Sequence, residues 1–442
     1  MKKKVALNTL GCKLNYAETS YIAKEFLQNG YEIVEFNNFA DVYVLNTCTV
    51  TENAERECRQ IVRRARRKNP GASIIVTGCY AQLRPKQIAE IDGVDLVLGN
   101  DEKFDISNYN LFDEKGNLSC INVTSSGGLK EFHPAFSSEA DNRTRAFLKI
   151  QDGCDYKCSF CTIPLARGSS RSANPGLLVD QFKKLLDNGY KEIVLTGVNI
   201  GDYGKNVNLN FYELLEKFVQ IKGKFRIRIS SIEPNLLTND ILQLTKENEK
   251  ICNHFHIPLQ SGSNDILKLM HRRYKREDYE KLIYKAKEII PDLGIGVDVI
   301  VGFPGETKRH FMETYNFLQN LPVEYLHVFT YSERPFTKAI EMPGKIEIPE
   351  RKRRNNLLRS LSDKKRNEFN KSFVNKEVEV LFETGKTDGF IYGFTSNYIR
   401  VKYPFKTDLV NNFKKVIITS TDNNICSAVE NNPEYQKQEA LG

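Results

Sequence analysis

The sequence predicts an α/β chain in three parts: an N-terminal part built on a parallel sheet, a central incomplete (β/α)6 barrel, and a small antiparallel β-barrel at the C-terminus. Three observations predict it. Short β-branched runs alternate with longer helical stretches as far as residue 331, and beyond residue 373 the pattern changes to apolar/polar alternation between turns. A chain of 442 residues, 40% of them apolar, is long enough for two to four domains at roughly 100–200 residues each.

The elements follow in order. KVALNTLG (4–11), DVYVLNT (41–47) and SIIVTG (73–78) read as strands, with a helical stretch from Thr51 to Lys68, the βαβ spacing of a parallel sheet. Residues 101–143 are polar, include Ser125–Gly128, and predict a connecting segment. A second series follows: RAFLKIQ (145–151), EIVLTGV (192–198), FRIRISSI (225–232), HFHIPLQ (254–260), IGVDVIVG (295–302) and YLHVFTY (325–331). Helical stretches at 174–189, 209–221, 276–290 and 307–319 lie between them. Six such units are too few for a closed eight-fold barrel and suit an open one. Residues 349–371 predict a basic helix or linker, and EVEVLFE, GFIYGFT, NYIRVKY and KKVIITS predict the final barrel. The expected parts span 1–125, 140–370 and 373–435.

Lys and Arg number 64 against 56 Asp and Glu, a net charge of +8. That points to an anionic partner without the excess of a histone-like binder. No apolar run reaches the ~18 residues of a membrane helix. The opening MKKKVALNTLGC breaks at Cys12-Lys13 with no small-residue cleavage site, so no export signal is expected. Ten irregularly spaced cysteines in such a chain read as reduced ligands in a cytoplasmic protein rather than disulfides.

Cys154-Asp-Tyr-Lys-Cys158-Ser-Phe-Cys161 is a C-x3-C-x2-C directly after the first central strand. Three thiolates on one tight loop can hold one face of a metal centre, and backbone N–H groups soften their charge. Zinc is the alternative, but a structural zinc site takes four protein ligands and no fourth Cys or His lies nearby in sequence. A 4Fe-4S cluster on three cysteines leaves one iron open. Cys12, Cys48 and Cys79 each sit one residue past a predicted N-terminal strand, as LG-Cys, NT-Cys and TG-Cys. Ligand sites of parallel sheets lie at that carboxyl edge, so these three thiols can converge into a second site. Ordinary core packing is the competing explanation. Cys58, Cys120, Cys252 and Cys426 lack partners at useful spacing and are expected to be structural.

These residues resemble a known family. The C-x3-C-x2-C loop on an incomplete barrel, with the aromatic Phe160 before its last cysteine, resembles the radical S-adenosylmethionine (SAM) superfamily. Together with Cys12, Cys48, Cys79 and the C-terminal barrel, it is similar to the methylthiotransferases over nearly the whole chain. The resemblance implies a Rossmann-like N-terminal domain, a radical SAM barrel and a TRAM-like RNA-binding domain. NTCTVTENAERECRQ (46–60), TGCYAQ (77–82), RISSIEP (228–234) and HVFTYSERP (327–335) look most like the branch that modifies N6-threonylcarbamoyladenosine in tRNA. Sibling branches act on N6-isopentenyladenosine or on an aspartate of a ribosomal protein. Phe336, in YSERPFT, stands where family members often carry glycine.

The resemblance implies a mechanism. Cys154, Cys158 and Cys161 would hold a 4Fe-4S cluster whose fourth iron binds SAM, and one electron would cleave SAM to methionine and a 5′-deoxyadenosyl radical. A second 4Fe-4S cluster on Cys12, Cys48 and Cys79 would present a methylated sulfur to C2 of the adenine. Two SAM molecules would be consumed per turnover, with electrons from a partner such as a flavodoxin or ferredoxin. The six histidines show no catalytic pairing. Thr196-Gly197-Val198-Asn199 occupies the place of the superfamily's amino-group motif, and Ile300-Val301-Gly302 the place where backbone meets adenine, although a packing or turn role fits these glycines equally.

For tRNA, the expected surfaces are the aromatic and basic residues Phe390, Tyr392, Phe394, Tyr398, Arg400, Lys402, Tyr403 and Phe405, the run 351–366, and the cluster Arg56, Arg59, Arg63, Arg64, Arg66, Arg67 and Lys68. Barrel filling and a solvated helix face are the plain alternatives. Arg167 and Arg171, in ARGSSRS after the cysteine loop, are expected to meet substrate phosphate or the threonyl carboxylate. Two rivals stand outside the methylthiotransferase branches: a zinc-containing tRNA-binding protein without catalysis, and a radical enzyme whose second cluster only relays electrons.

Overall fold

The computed structural model describes residues 2–49, 52–109, 120–137 and 144–430. Thr51 at the head of the expected helix, the expected boundary at 140 and the expected end at 435 lie outside the described residues.

Six parallel strands form the N-terminal sheet: β1 (Lys4–Thr9), β2 (Glu32–Val34), β3 (Val42–Thr47), β4 (Ser73–Gly78), β5 (Leu96–Leu98) and β6 (Cys120–Asn122), in the order β2-β1-β3-β4-β5-β6. β3 and β4 are buried along their whole length, which is why they read as continuous β-branched runs rather than alternating ones. The expected connecting segment is more than a linker. It carries a 3-10 helix at Glu102–Asn108, and β6 pairs with β5 as the sixth strand.

The central part has β7 (Arg145–Lys149), the two-residue ribbon β8 (Gln151–Asp152) and β9 (Arg171–Ser172), then β10 (Glu192–Thr196), β11 (Arg226–Ile229), β12 (His254–His256), β13 (Gly294–Val301) and β14 (Tyr325–Thr330). Two parallel sheets, β11-β10-β7 and β12-β13-β14, are joined through the single bridges Ile227–Ile251 and Ser231–His256. The result is the open six-fold barrel the sequence predicts, with the largest apolar core packed around its strands. The basic stretch forms one helix, Ile348–Lys371, and lies on the β14 side.

At the C-terminus, β15 (Glu377–Phe382), β16 (Phe390–Thr395), β17 (Arg400–Pro404), β18 (Phe413–Asp422) and β19 (Ile425–Val429) close a barrel in the order β15-β16-β17-β19-β18. The fifth strand, which brings in Cys426, goes beyond the four expected, and it pairs parallel to β17 where the other pairings are antiparallel. The turn after β16 seats this barrel against the central one. Arg226 donates to the Phe394 carbonyl, Arg228 to those of Thr395 and Ser396, and the Tyr398 ring lies 4.7 Å from His254. Phe394 and Tyr398 therefore face the central barrel rather than RNA, and Tyr403 fills the small barrel's core. Tyr392 with Arg400, and Phe390 with Lys402, remain as outward cation–aromatic pairs.

The other basic surfaces divide the same way. Arg351 and Arg354 are buried against Glu333 and Glu306, and Arg366 covers the Tyr325 ring. Lys352, Arg353, Arg359 and Lys364 stay exposed. On the helix Glu52–Lys68, Arg66 is spent on Asp95 and carbonyls, while Arg63, Arg64 and Arg67 are exposed.

Candidate functional site

The C-x3-C-x2-C loop leaves β8 and is pinned at both ends. Cys154 N donates to the Gly168 carbonyl, and Ser159 is held through Met270 and Leu269. Each of its three sulfurs accepts a hydrogen bond: Cys154 from Tyr156 N at 3.4 Å, Cys161 from Ile163 N at 3.5 Å, and Cys158 from Arg272 at 3.2 Å. Three N–H donors aimed at three sulfurs are surroundings that suit an anionic thiolate centre. Burial pushes the Cys154 thiol up to about 11 and the Cys161 thiol up to about 12, so metal binding here would displace protons. Glu233, in the RISSIEP stretch, grips the far side of Arg272 and aims it at Cys158. That stretch thus supports the loop directly.

Beside the loop opens a cavity of about 220 Å³, with Phe160, Cys161, Gln260, Asp298, Ile300 and Arg334 in its wall. Phe160 and Ile300 thus meet at one site. Gly302 stands elsewhere: a Cβ there would lie 2.3 Å from Cγ of Arg351, so this glycine admits the buried arginine rather than a ligand. Gly197 packs in the same sense against Gln151, whose carbonyl a Cβ would approach to 2.9 Å. Asn199 differs. It is buried, and neither Nδ2 nor Oδ1 of its amide has a partner, which is the condition of a group kept for a ligand. The cavity beside the thiol loop, with the apolar Phe160 and Ile300 and the polar Gln260, Asp298 and Arg334 in its wall, fits SAM, which carries amino and carboxylate groups and an adenine; Asn199 lies outside that wall.

The N-terminal thiols come together through sheet register. Thr47 of β3 is paired with Gly78 of β4, so Cys48 and Cys79 leave neighbouring strands side by side. Gly78 has φ +94°, and a Cβ there would sit 2.4 Å from the Thr47 carbonyl. Gly11 has φ +108°, and its Cβ would sit 2.6 Å from that of Cys48. Both turns need glycine, and they bring the Cys12 and Cys79 segments over Cys48. Among the described residues no group of three or more His, Cys, Asp or Glu is set to hold a metal ion.

Arg167 and Arg171 lie elsewhere than expected. Arg167 is 1% exposed: Nε donates to the Cys79 sulfur at 3.3 Å, one terminal nitrogen to Glu18 and Asp152, and the other to Asn15 and Glu18. Arg171 is buried too and donates to the carbonyls of Leu129, Arg167 and Ser169. All the donors of Arg167 and the terminal nitrogens of Arg171 are used inside the chain, while Arg171 Nε is buried without a partner, so in place of the expected contact with substrate phosphate or carboxylate the structure shows both arginines in internal contacts. Glu18, Lys103, Lys149 and Asp152, which complete this buried group, are absent from the sequence reading because no local spacing unites them. Of the four cysteines set aside as structural, Cys58, Cys252 and Cys426 are buried and Cys120 is exposed on β6.

Comparison with known proteins adds three findings. The model of the radical SAM superfamily matches residues 148–318, and that of uncharacterized protein family UPF0004 matches residues 4–99. The chain is 41% identical to the threonylcarbamoyladenosine tRNA methylthiotransferase MtaB of Bacillus subtilis, over 94% of this chain and 93% of that one. It is also 41% identical to the MtaB of Aquifex aeolicus, over 90% and 96%. A tRNA-2-methylthio-N(6)-dimethylallyladenosine synthase of Syntrophus aciditrophicus is 31% identical over 94% and 92%. Among solved structures, the radical SAM methyltransferase TsrM of Kitasatospora setae shares the fold over 77% of both chains, at a TM-score of 0.57 and 15% identity.

Proposed function

The chain belongs to the threonylcarbamoyladenosine tRNA methylthiotransferases, and from that premise we propose that it places a methylthio group on C2 of N6-threonylcarbamoyladenosine at position 37 of tRNA, beside the anticodon. The isopentenyl-type branch is less favoured, at 31–35% identity against 36–41% for the threonylcarbamoyl branch. The observation that carries the reading is the joining of the two thiol sets: Arg167, six residues after Cys161, reaches the sulfur of Cys79.

In this reading Cys154, Cys158 and Cys161 hold the 4Fe-4S cluster of the radical SAM family, and Cys12, Cys48 and Cys79 hold a second one. Bound together, the first cluster and SAM supply radical chemistry, and two SAM molecules serve each turnover. The chain positions and shields. Arg272, aimed by Glu233, steadies the charge on the Cys158 sulfur. Phe160 and Ile300, in the cavity wall, would shield the apolar part of SAM from water, and the unpartnered Asn199 amide would be available to its polar end. The outward Tyr392–Arg400 and Phe390–Lys402 pairs and the exposed Arg63, Arg64 and Arg67 meet tRNA by stacking and phosphate contact. A flavodoxin or ferredoxin delivers the electron, and the enzyme works in the cytoplasm, where its substrate is. No helix among the described residues is long and apolar enough to cross a membrane.

Anaerobic reconstitution followed by turnover on tRNA with and without the threonylcarbamoyl group tests this. About eight irons per chain are expected from two clusters. The 2-methylthio nucleoside, read by mass spectrometry, should form only on the threonylcarbamoylated tRNA. Equal product on unmodified or isopentenylated tRNA would reassign the substrate.

A further inference from the structure

The buried charges beside the N-terminal thiols do not balance. Glu18 lies on the helix Lys13–Gln28, which begins directly after Cys12. It pairs with Lys103 at 2.6 Å, Lys149 at 3.0 Å and Arg167 at 2.8 Å. Asp152 pairs with Lys149 at 2.7 Å, Arg167 at 3.0 Å and Arg171 at 3.4 Å. None of these six side chains is more than 6% exposed. Four cations thus face two carboxylates, which leaves two positive charges in surplus among the described residues. Unpaired buried charge is costly, so a surplus of this kind calls for an anion.

Geometry says where that anion sits. Any two of Lys103, Lys149 and Arg171 match the two carboxylates in charge, so the surplus is one of these three together with Arg167, although terminal nitrogens of Arg167 also reach Glu18 and Asp152. Its Nε turns away from them to the Cys79 sulfur at 3.3 Å. One of its terminal nitrogens holds Asn15 Oδ1 at 2.7 Å, and Cys12 Sγ lies 3.9 Å from that same oxygen. The helix Ile163–Arg167 that carries it starts two residues after Cys161. One side chain therefore reaches from the radical SAM loop directly to the Cys79 sulfur, and through Asn15 towards Cys12.

We propose that Arg167 is a positioning residue of the N-terminal centre, whose hydrogen bond to the Cys79 sulfur, backed by the surplus positive charge, favours the reduced and more negative state of the cluster and fixes its distance from the radical SAM loop. Hydrogen bonds to ligand sulfurs and local charge are among the determinants of iron–sulfur potentials. The proposal rests on the reading that Cys12, Cys48 and Cys79 hold a cluster.

The test uses the full-length chain with Cys154, Cys158 and Cys161 replaced by Ala, so that only the N-terminal centre is loaded. Its midpoint potential is titrated with dithionite and mediator dyes, alone and with Arg167→Gln or Arg167→Lys added. Arg167→Gln keeps the two carboxylates compensated, so about four irons should remain. At fixed potential it should shift the reduced-to-oxidised ratio about tenfold towards oxidised, equivalent to about 59 mV for a one-electron couple. Arg167→Lys should recover part of that shift. A ratio unchanged within twofold, with iron retained, overturns the proposal. Loss of iron in both variants assigns Arg167 a purely structural role and overturns it as well. Failure of the parent protein to bind iron defeats the cluster reading itself, and the proposal with it, before any change at residue 167.

Discussion

Arg272 shows how one side chain ties the thiol loop to the rest of the barrel. It donates to the Cys158 sulfur and to Glu233, and although burial opposes its charge, Tyr274, Glu233 and Cys158 hold it above its ordinary value. Arg272→Ala removes the cation and leaves Glu233 a desolvated carboxylate, which burial already pushes above the usual range. Breaking a buried pair from one side costs about 3 kcal/mol, so denaturant unfolding of the protein without iron should show a stability loss of that order. Arg272→Lys should recover only part of it, since an ammonium lacks the planar fork that reaches both partners. The cysteine loop is legible in sequence because its ligands are local. Arg272 is not, because its two partners lie 114 and 39 positions away. The same separation misleads at Arg167: next to the loop in sequence, it looks available to substrate, but its anions come from distant Glu18 and from Asp152 on the ribbon.

At the scale of elements, strand periodicity locates the long buried strands, and three-residue β12 within the longer run HFHIPLQ, but misses the short strands of the N-terminal sheet. β2, β5 and β6 have three residues each, too few to show a period, and they exist because longer neighbours offer an edge to pair with. Aromatic alternation in β16 and β17 marks a barrel without telling which face turns to which partner. That ambiguity is resolved only by the turn at Tyr398, which holds φ +73° and sets its ring against His254, Phe394 and Arg228. Tyr398→Ala should cost about 2 kcal/mol in lost contact and split thermal unfolding into two steps, as the small barrel is released from the central one. Tyr398→Gly should cost about 1 kcal/mol less than the alanine change, because glycine adopts the left-handed backbone freely. Equal losses would mean that the turn relaxes and that backbone strain plays no part. Calorimetry of the two variants decides it.

Across the whole molecule, the three parts share polar interior surfaces rather than one continuous apolar core, and this makes their union sensitive to protons. His254 stands where the central barrel receives the C-terminal turn. It is 3% exposed, bonded through Nε2 to the Tyr325 hydroxyl at 2.7 Å, and its ring lies against that of Tyr398 at a tilt of 31°. Burial, reinforced by Arg228, Lys13, His256 and His327, holds it well below the ordinary histidine value of 6.5. The folded protein keeps it neutral where an unfolded chain would protonate it, so its contribution to stability is whole above pH 6.5 and is lost as the pH falls towards its depressed folded value. Glu324 works in the opposite sense: burial raises it from 4.5 to about 7, and it favours the folded state increasingly as the pH falls through that interval. The two effects oppose each other in the wild type, and only a difference between proteins isolates the histidine. Unfolding free energies of wild type and His254→Phe, measured from pH 7.5 down to 5, should diverge in slope, with the wild type losing stability relative to the variant as acid is added. Parallel curves would show that His254 is protonated in the folded protein at no cost, and that the junction between the barrels is wetter than its burial indicates.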